Sequence, residues 1–163
     1  MESQGTAAML AGEGLLCGLY ANELLARLLP VELSVDDVFA FYAAALDALP
    51  HPEGRAGALR RLEFALLEAL DAEPRFVGPD GQQLDPQTRY VFDTDSRAFV
   101  LGERGIDGRT LKLLATGDWS APGLAGPAKA VMRAALAPLL GSRPLRSREL
   151  MHQLASARLR RES

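Results

Sequence analysis

Cys17 is the only cysteine in the 163 residues of the chain. One thiol excludes an internal disulfide and a cysteine-built metal cage, and points to a reducing, cytoplasmic setting. Histidine is nearly as scarce. His51 stands between two prolines and His152 in a basic stretch, and neither has the spacing of a metal pair or a catalytic base. Aromatic residues make up 6% of the chain, too few for an aromatic-rich sheet sandwich. No apolar run approaches the ~20 residues that span a bilayer. The first 14 residues lack both a basic stretch and a continuous apolar one, so neither a membrane span nor a secretory signal is expected. Gly12-Glu13-Gly14 has no third glycine and no strand before it, unlike a phosphate loop. Asp93 and Asp95 suit a turn better than a cation site. With no convergent polar groups, the chain is not expected to be an enzyme or to hold a metal or cofactor.

Alanine and leucine are abundant, and 48% of the chain is hydrophobic, enough for one core. From Leu15 to Leu29, apolar Leu16, Leu19, Tyr20, Leu24, Leu25 and Leu28 recur at helical spacing until Pro30 stops the element. Ser34 and Asp37 resemble a capping box for a helix lined by Val38, Phe39, Phe41, Tyr42, Leu46 and Leu49. Residues 50 to 57, with two glycines and two prolines, read as a loop. Leu59, Leu62, Leu66 and Leu70 then predict a third helix.

Past Asp71, Pro74, Gly78, Pro79, Gly81 and Pro86 exclude a helix, and Arg89–Phe92 and Ala98–Leu101 are strand candidates around an Asp93–Ser96 turn. Helical spacing returns over Gly108–Thr116 and Pro127–Leu140, with Val131, Met132, Ala135, Leu136, Leu139 and Leu140 as a buried stripe and Gly141 as C-cap. A last helix is expected from about Ser147, capped by its hydroxyl and carrying Leu150, Met151 and Leu154. The expected fold is a mainly α, single helical domain of about six helices with a small β-hairpin insertion around residues 73–103. Residues 1–14 form an irregular lead-in, 15–157 the domain, and 158–163 a basic flexible tail.

Charge is unevenly spread. Residues 1 to 140 hold twelve basic and nineteen acidic side chains, a net of −7. From 141 to 161, Arg143, Arg146, Arg148, Arg158, Arg160 and Arg161 face only Glu149, a net of +5. An anionic partner suits this segment, either a nucleic-acid backbone or an acidic protein. It lacks interleaved aromatics, so base stacking is not expected there. A second patch comes from the third helix. At about 100° per residue Phe64 lies outside the leucine stripe, with Arg60 one turn before it and Leu67 between them and the core. An acidic peptide ending in an aromatic residue fits such a patch, the guanidinium taking a carboxylate and the rim a ring. The structural alternative has Phe64 packing under the β insertion and Arg60 pairing Asp71 or a nearby Glu.

The segments 18–30 (Gly-Leu-Tyr-Ala-Asn-Glu-Leu-Leu-Ala-Arg-Leu-Leu-Pro), 59–64 (Leu-Arg-Arg-Leu-Glu-Phe), 90–93 (Tyr-Val-Phe-Asp) and 140–150 (Leu-Gly-Ser-Arg-Pro-Leu-Arg-Ser-Arg-Glu-Leu) resemble, in this order, the RecO family of recombinational DNA repair proteins. The resemblance covers residue 15 to about 155. It implies a mediator of the RecFOR pathway that helps strip single-strand binding protein from single-stranded DNA, anneals strands and, with RecR, helps load the RecA recombinase. It also implies an N-terminal OB-fold domain of about 80 residues, after which this chain is read as starting, so its DNA binding alone is expected to be weak. With no Cys between 73 and 100, the chain resembles the zinc-free proteobacterial type. By position, Arg60, Phe64, Leu67 and Leu70 match the part that receives the acidic tail of single-strand binding protein, and Arg143, Arg146 and Arg148 are the candidate DNA or partner contacts. A small helical DNA-binding regulator is the other reading, but its reading helix would need Asn, Gln and Arg facing a groove, and the last helix offers mainly Arg and Leu.

Overall fold

The computed structural model describes residues 12–30, 36–119 and 121–162. Among them the chain is mainly α, with six α-helices and a small three-stranded antiparallel sheet. It divides into two compact units: the chain up to Leu62 together with Leu140 onward, and Glu63–Leu139.

In the first unit, α1 (Glu13–Leu28) buries Leu16, Cys17, Tyr20, Ala21 and Leu24, residues three or four apart that fall on one face. It stops where Leu29, ahead of Pro30, turns extended. Of the irregular lead-in expected over 1–14, residues 1–11 lie outside the described residues, and Glu13 and Gly14 already belong to α1.

Helix α2 (Asp36–Ala48) packs on α1 and buries Val38 and Ala45, followed by buried Leu49. Gly18 permits the close approach, since a Cβ there would stand 3.1 Å from Leu49 Cδ1, and the Tyr42 hydroxyl donates to Asn22 Oδ1. Ser34 of the expected capping box lies outside the described residues. Phe39, Phe41 and Leu46, expected in the buried stripe, are exposed: only Val38 and Ala45 are buried, a narrower face than the apolar content of the helix suggests.

The loop expected over 50–57 is shorter. Helix α3 (Pro52–Ala69) starts at Pro52, where a fixed φ and a missing N–H are assets in the first turn. Arg55 Nη1 donates to Leu49 O at 3.1 Å across the bend. At the other end Asp71, at φ 53°, takes the left-handed position usual for glycine, and Ala72 N–H reaches back to Leu67 O at 2.8 Å.

The last helix, α6 (Arg146–Glu162), packs against α1. It continues through Arg158–Glu162, where a flexible tail was expected. Arg158 pairs with Glu13 of α1 at 3.6 Å, so the end of α6 still meets the start of α1.

In the second unit, β1 (Arg89–Phe92) and β2 (Phe99–Leu101) form the expected hairpin, with Tyr90 opposite Leu101 and Phe92 opposite Phe99. The Asp93 carboxylate accepts from Ser96 N and Oγ and closes the turn. A third strand, β3 (Ile106–Asp107), pairs with the free side of β1; two residues are too few for any periodic signal. Phe99 is fully buried, with Phe76 stacked at 5.6 Å and Phe92 edge-on at 5.6 Å. Gly105 and Gly108 have no room for a side chain: a Cβ would fall 1.9 Å from Tyr90 O and Asp85 O respectively.

Asp107 caps α4 (Gly108–Ala115), its carboxylate accepting from Thr110 N at 2.8 Å. Helix α5 (Ala125–Leu140) buries Ala128, Val131, Met132, Ala135 and Leu136, while Leu139 is exposed. Pro138 sits in its last turn, and Gly141 ends it at φ 65°.

Candidate partner-binding and DNA-contact surfaces

The basic segment is held in place by two side chains of α1. Glu23 and Arg27 are one turn apart and so lie on the same side of that helix. Arg27 Nη1 donates to Arg143 O at 2.7 Å and Nη2 to Pro144 O at 3.2 Å. The Glu23 carboxylate accepts from Arg146 N at 2.8 Å, from Ser147 N at 3.1 Å and from Ser147 Oγ at 2.9 Å. Those amides are the first two of α6, which have no acceptor within their own helix. Glu23 is therefore the cap of α6, supplied from another helix and carrying a negative charge to the positive end of its dipole. The sequence suggested Ser147 for this role, but Ser147 is inside the helix and its hydroxyl donates to Glu23.

Partial burial pushes the Glu23 carboxyl up, but the hydrogen bonds from Ser147 and Arg146 and the charge of Arg27 outweigh it, and the group is held below its ordinary range.

Leu145 and Ser147 are buried and anchor the segment. Arg143 and Arg146 consequently carry their side chains into solvent from a fixed main chain. Arg148 is half-buried, its guanidinium 5.9 Å above the Tyr20 ring. Leu150, on the last helix, is exposed.

The second candidate set is placed differently from its helical spacing. Between Leu59 and Leu67, α3 buries Leu59, Arg60, Leu62, Glu63, Ala65, Leu66 and Leu67, a face far wider than the leucine stripe. Arg60 is 8% exposed and Leu67 fully buried, whereas Phe64 and Leu70 are half-buried. Phe64 meets the Trp119 ring edge-on at 5.1 Å, and Trp119 Nε1 donates to Leu114 O at 2.7 Å. Trp119 and Glu63 went unread in the sequence. A lone tryptophan after a short helix was a usable signal, but nothing in the spacing marked Glu63 as a buried acid. Glu23 and Arg27 stand in the motif of α1, and only their long-range targets hid their role.

Among the described residues no three His, Cys, Asp or Glu side chains gather in a metal-binding group, and no helix is long and apolar enough to cross a membrane. His51 and His152 are exposed and Cys17 is buried.

Residues 9–77 match the family model described as Recombination protein O C terminal. DNA repair protein RecO of Pseudomonas aeruginosa is 41% identical over 167 residues, covering 92% of this chain and 66% of that protein. DNA repair protein RecO of Stutzerimonas stutzeri is 40% identical, with 94% and 67% covered. The Pseudomonas putida protein of the same name is also 40% identical, with 94% and 69% covered. The chain thus spans about two thirds of the length of these relatives, and by this likeness it belongs to the RecO family.

Proposed function

We propose that the chain serves DNA repair as a non-catalytic mediator, contacting DNA or a protein partner through Arg143, Arg146 and Arg148. The observation that carries this reading is the clasp from Glu23 and Arg27. Two charged side chains of α1 are used to fix the main chain at 143–147, leaving Arg143 and Arg146 in solvent. With the main chain fixed, only side-chain freedom is lost when these arginines meet phosphates or carboxylates, which a guanidinium can bind in two-point geometry. The relatives' name, DNA repair protein RecO, supports the same direction.

In this reading the partners are single-stranded DNA, bound weakly by this part alone, RecR, and the acidic tail of single-strand binding protein, with strand annealing and RecA loading as the outcome. The tail would dock at Phe64, with Leu67 and Leu70 beneath and Arg60 supplying the cation. Since Arg60 is 8% exposed, docking needs its side chain to turn outward.

Titration with a labelled single-stranded oligonucleotide at several salt concentrations tests the basic segment. Replacing Arg143, Arg146 and Arg148 by Ala is expected to weaken binding and to flatten the logarithmic salt slope by about 2; unchanged affinity and slope would exclude direct DNA contact there. Fluorescence titration with a labelled acidic, aromatic-ended peptide tests the other surface. Affinity should fall for Phe64→Ala and Arg60→Ala and partly survive in Arg60→Lys, and equal affinity in all of them removes that site.

A further inference from the structure

Two aspartates of the second unit are followed directly by glycine: Asp80 by Gly81, and Asp107 by Gly108. Such a step is open to attack of the glycine amide nitrogen on the aspartate Cγ, because glycine brings no Cβ into the path. The fold treats the two steps in opposite ways.

At Asp107 both reacting groups are held. Its carboxylate accepts from Thr110 N at 2.8 Å, and the nitrogen that would attack, Gly108 N, donates to Thr88 O at 2.8 Å. Hydrogen bonds from Thr110, helped by the charges of Arg89 and Arg109, keep the Asp107 carboxyl below its ordinary range, in the ionised form that resists attack. Gly108 is buried, and a Cβ on it would stand 1.9 Å from Asp85 O. Its backbone has nowhere to turn.

Asp80 is in the reverse position. It is the middle residue of a single 3₁₀ turn, Pro79–Gly81, and Asp80, Gly81, Gln82 and Gln83 are all exposed. Beyond its two chain neighbours, no described atom lies within 4 Å of where a Gly81 Cβ would stand. Asp80 sits at φ 57°, in the left-handed region that is costly for a residue with a Cβ. Gly81 N is held in the turn by a bond to Gly78 O at 3.1 Å, and the next amide, Gln82 N, by one to Pro79 O at 3.2 Å. Short 3₁₀ turns of this kind open locally without disturbing a core. Rotation about the Asp80 Cα–C bond then brings Gly81 N to the side chain.

We propose that Asp80 is a site of spontaneous covalent modification, isomerising to isoaspartate in the folded chain while Asp107 is protected. Gly81 N bonds to Asp80 Cγ, and its proton and the carboxyl hydroxyl leave as one water, closing a five-membered imide. Water then adds to either imide carbonyl. Addition at Cγ restores aspartate. Addition at the main-chain carbon breaks its bond to Gly81 N, so the chain continues through Cβ and Cγ and the former main-chain carbonyl becomes the free carboxylate. One water leaves and one returns, with nothing oxidised or reduced. The product has one more methylene in its main chain, inside a turn that Gly78 N closes on Gln82 O at 2.7 Å. That closure loses its register, and the loosening adjoins the sheet, since Val77 O accepts from Phe99 N at 3.0 Å.

The full chain is aged in neutral buffer and digested, isoaspartate is methyl-labelled with S-adenosylmethionine and an isoaspartyl methyltransferase, and the labelled peptides are identified by mass spectrometry. In the folded chain, label at Asp80 is expected to build up at least about tenfold faster than at Asp107. In urea the two steps should react at similar rates, which assigns the difference to the fold. Asp80→Glu should remove the label from its peptide, since glutamate would have to close a six-membered ring. Equal rates at the two sites of the folded chain, or faster labelling at Asp107, would overturn the proposal. So would a gap that persists undiminished in urea, or a folded chain that leaves Asp80 unlabelled while the unfolded one labels it.

Discussion

In the first unit Glu23 and Arg27 reach main-chain atoms more than 110 residues away. In the second, Asp85, Asp93 and Asp107 each satisfy groups within three residues of themselves. The same chemistry, an ionised side chain on backbone polar groups, is tertiary in one case and local in the other. A local bond closes a turn that the chain already favours. A distant one determines which segments meet, so its loss is felt by the helix it caps and by the segment it anchors. Local satisfaction in the second unit is joined by steric constraint, because its short strands and loops pass each other where only glycine fits.

The comparison can be broken at several points. The largest effect is expected for Gly108→Ala, whose Cβ would fall on Asp85 O at 1.9 Å. The backbone there must move, at about 3 kcal/mol, and chemical denaturation measures it. Glu23→Ala comes next, at about 2 kcal/mol, since the first amides of α6 and the buried Ser147 hydroxyl lose their acceptor together; amide exchange in the first turn of α6 should accelerate. Asp107→Ala removes one cap bond of a short helix and is expected to cost about 1 kcal/mol. If it equals or exceeds Glu23→Ala in the same denaturant series, distance in sequence makes no difference. The smallest shift is expected for Asp93→Ala, a half-buried turn residue whose carboxylate bonds go to nearby Ser96 and whose loss should leave the thermal midpoint nearly unchanged.

Acidity tests the clasp independently. The Glu23 carboxyl is held below its ordinary range in the folded chain, so the stability it adds is present above that range and is lost as pH falls through the lowered value. The penalty of Glu23→Ala should be full at neutral pH and shrink as the pH falls below the ordinary carboxylate range. A gap between the two proteins that stays constant over this span would show that the charge of Glu23 is irrelevant to its cap.

How far the sequence reveals this molecule follows the same division. Helices α1, α2 and α5 were legible because their apolar residues recur at helical spacing, and the Arg89–Phe92 strand because aromatic and β-branched residues flank an Asp-rich turn. The start of α3 was hidden by prolines and glycines that look like a loop, although Pro52 is a favourable first helical residue. Phe39 and Phe41 look like core in the sequence, whereas Val38 and Ala45 are the residues that α2 buries. Arg60 was read from the phase of one helix, and its burial depends on everything packed around that helix. The basic segment was evident as charge, but its clasp joins residues whose nearness only the folded chain establishes.

The clasp also has a consequence for change over time. Glu23 and Arg27 take hold of main-chain atoms at 143, 144, 146 and 147, plus one hydroxyl, and touch neither the Arg143 nor the Arg146 side chain. Those two positions can therefore exchange arginine for lysine, or for a neutral residue, without disturbing what fixes the backbone. Shape and surface chemistry are inherited separately here, and a lineage could retune what this segment binds while keeping where it binds.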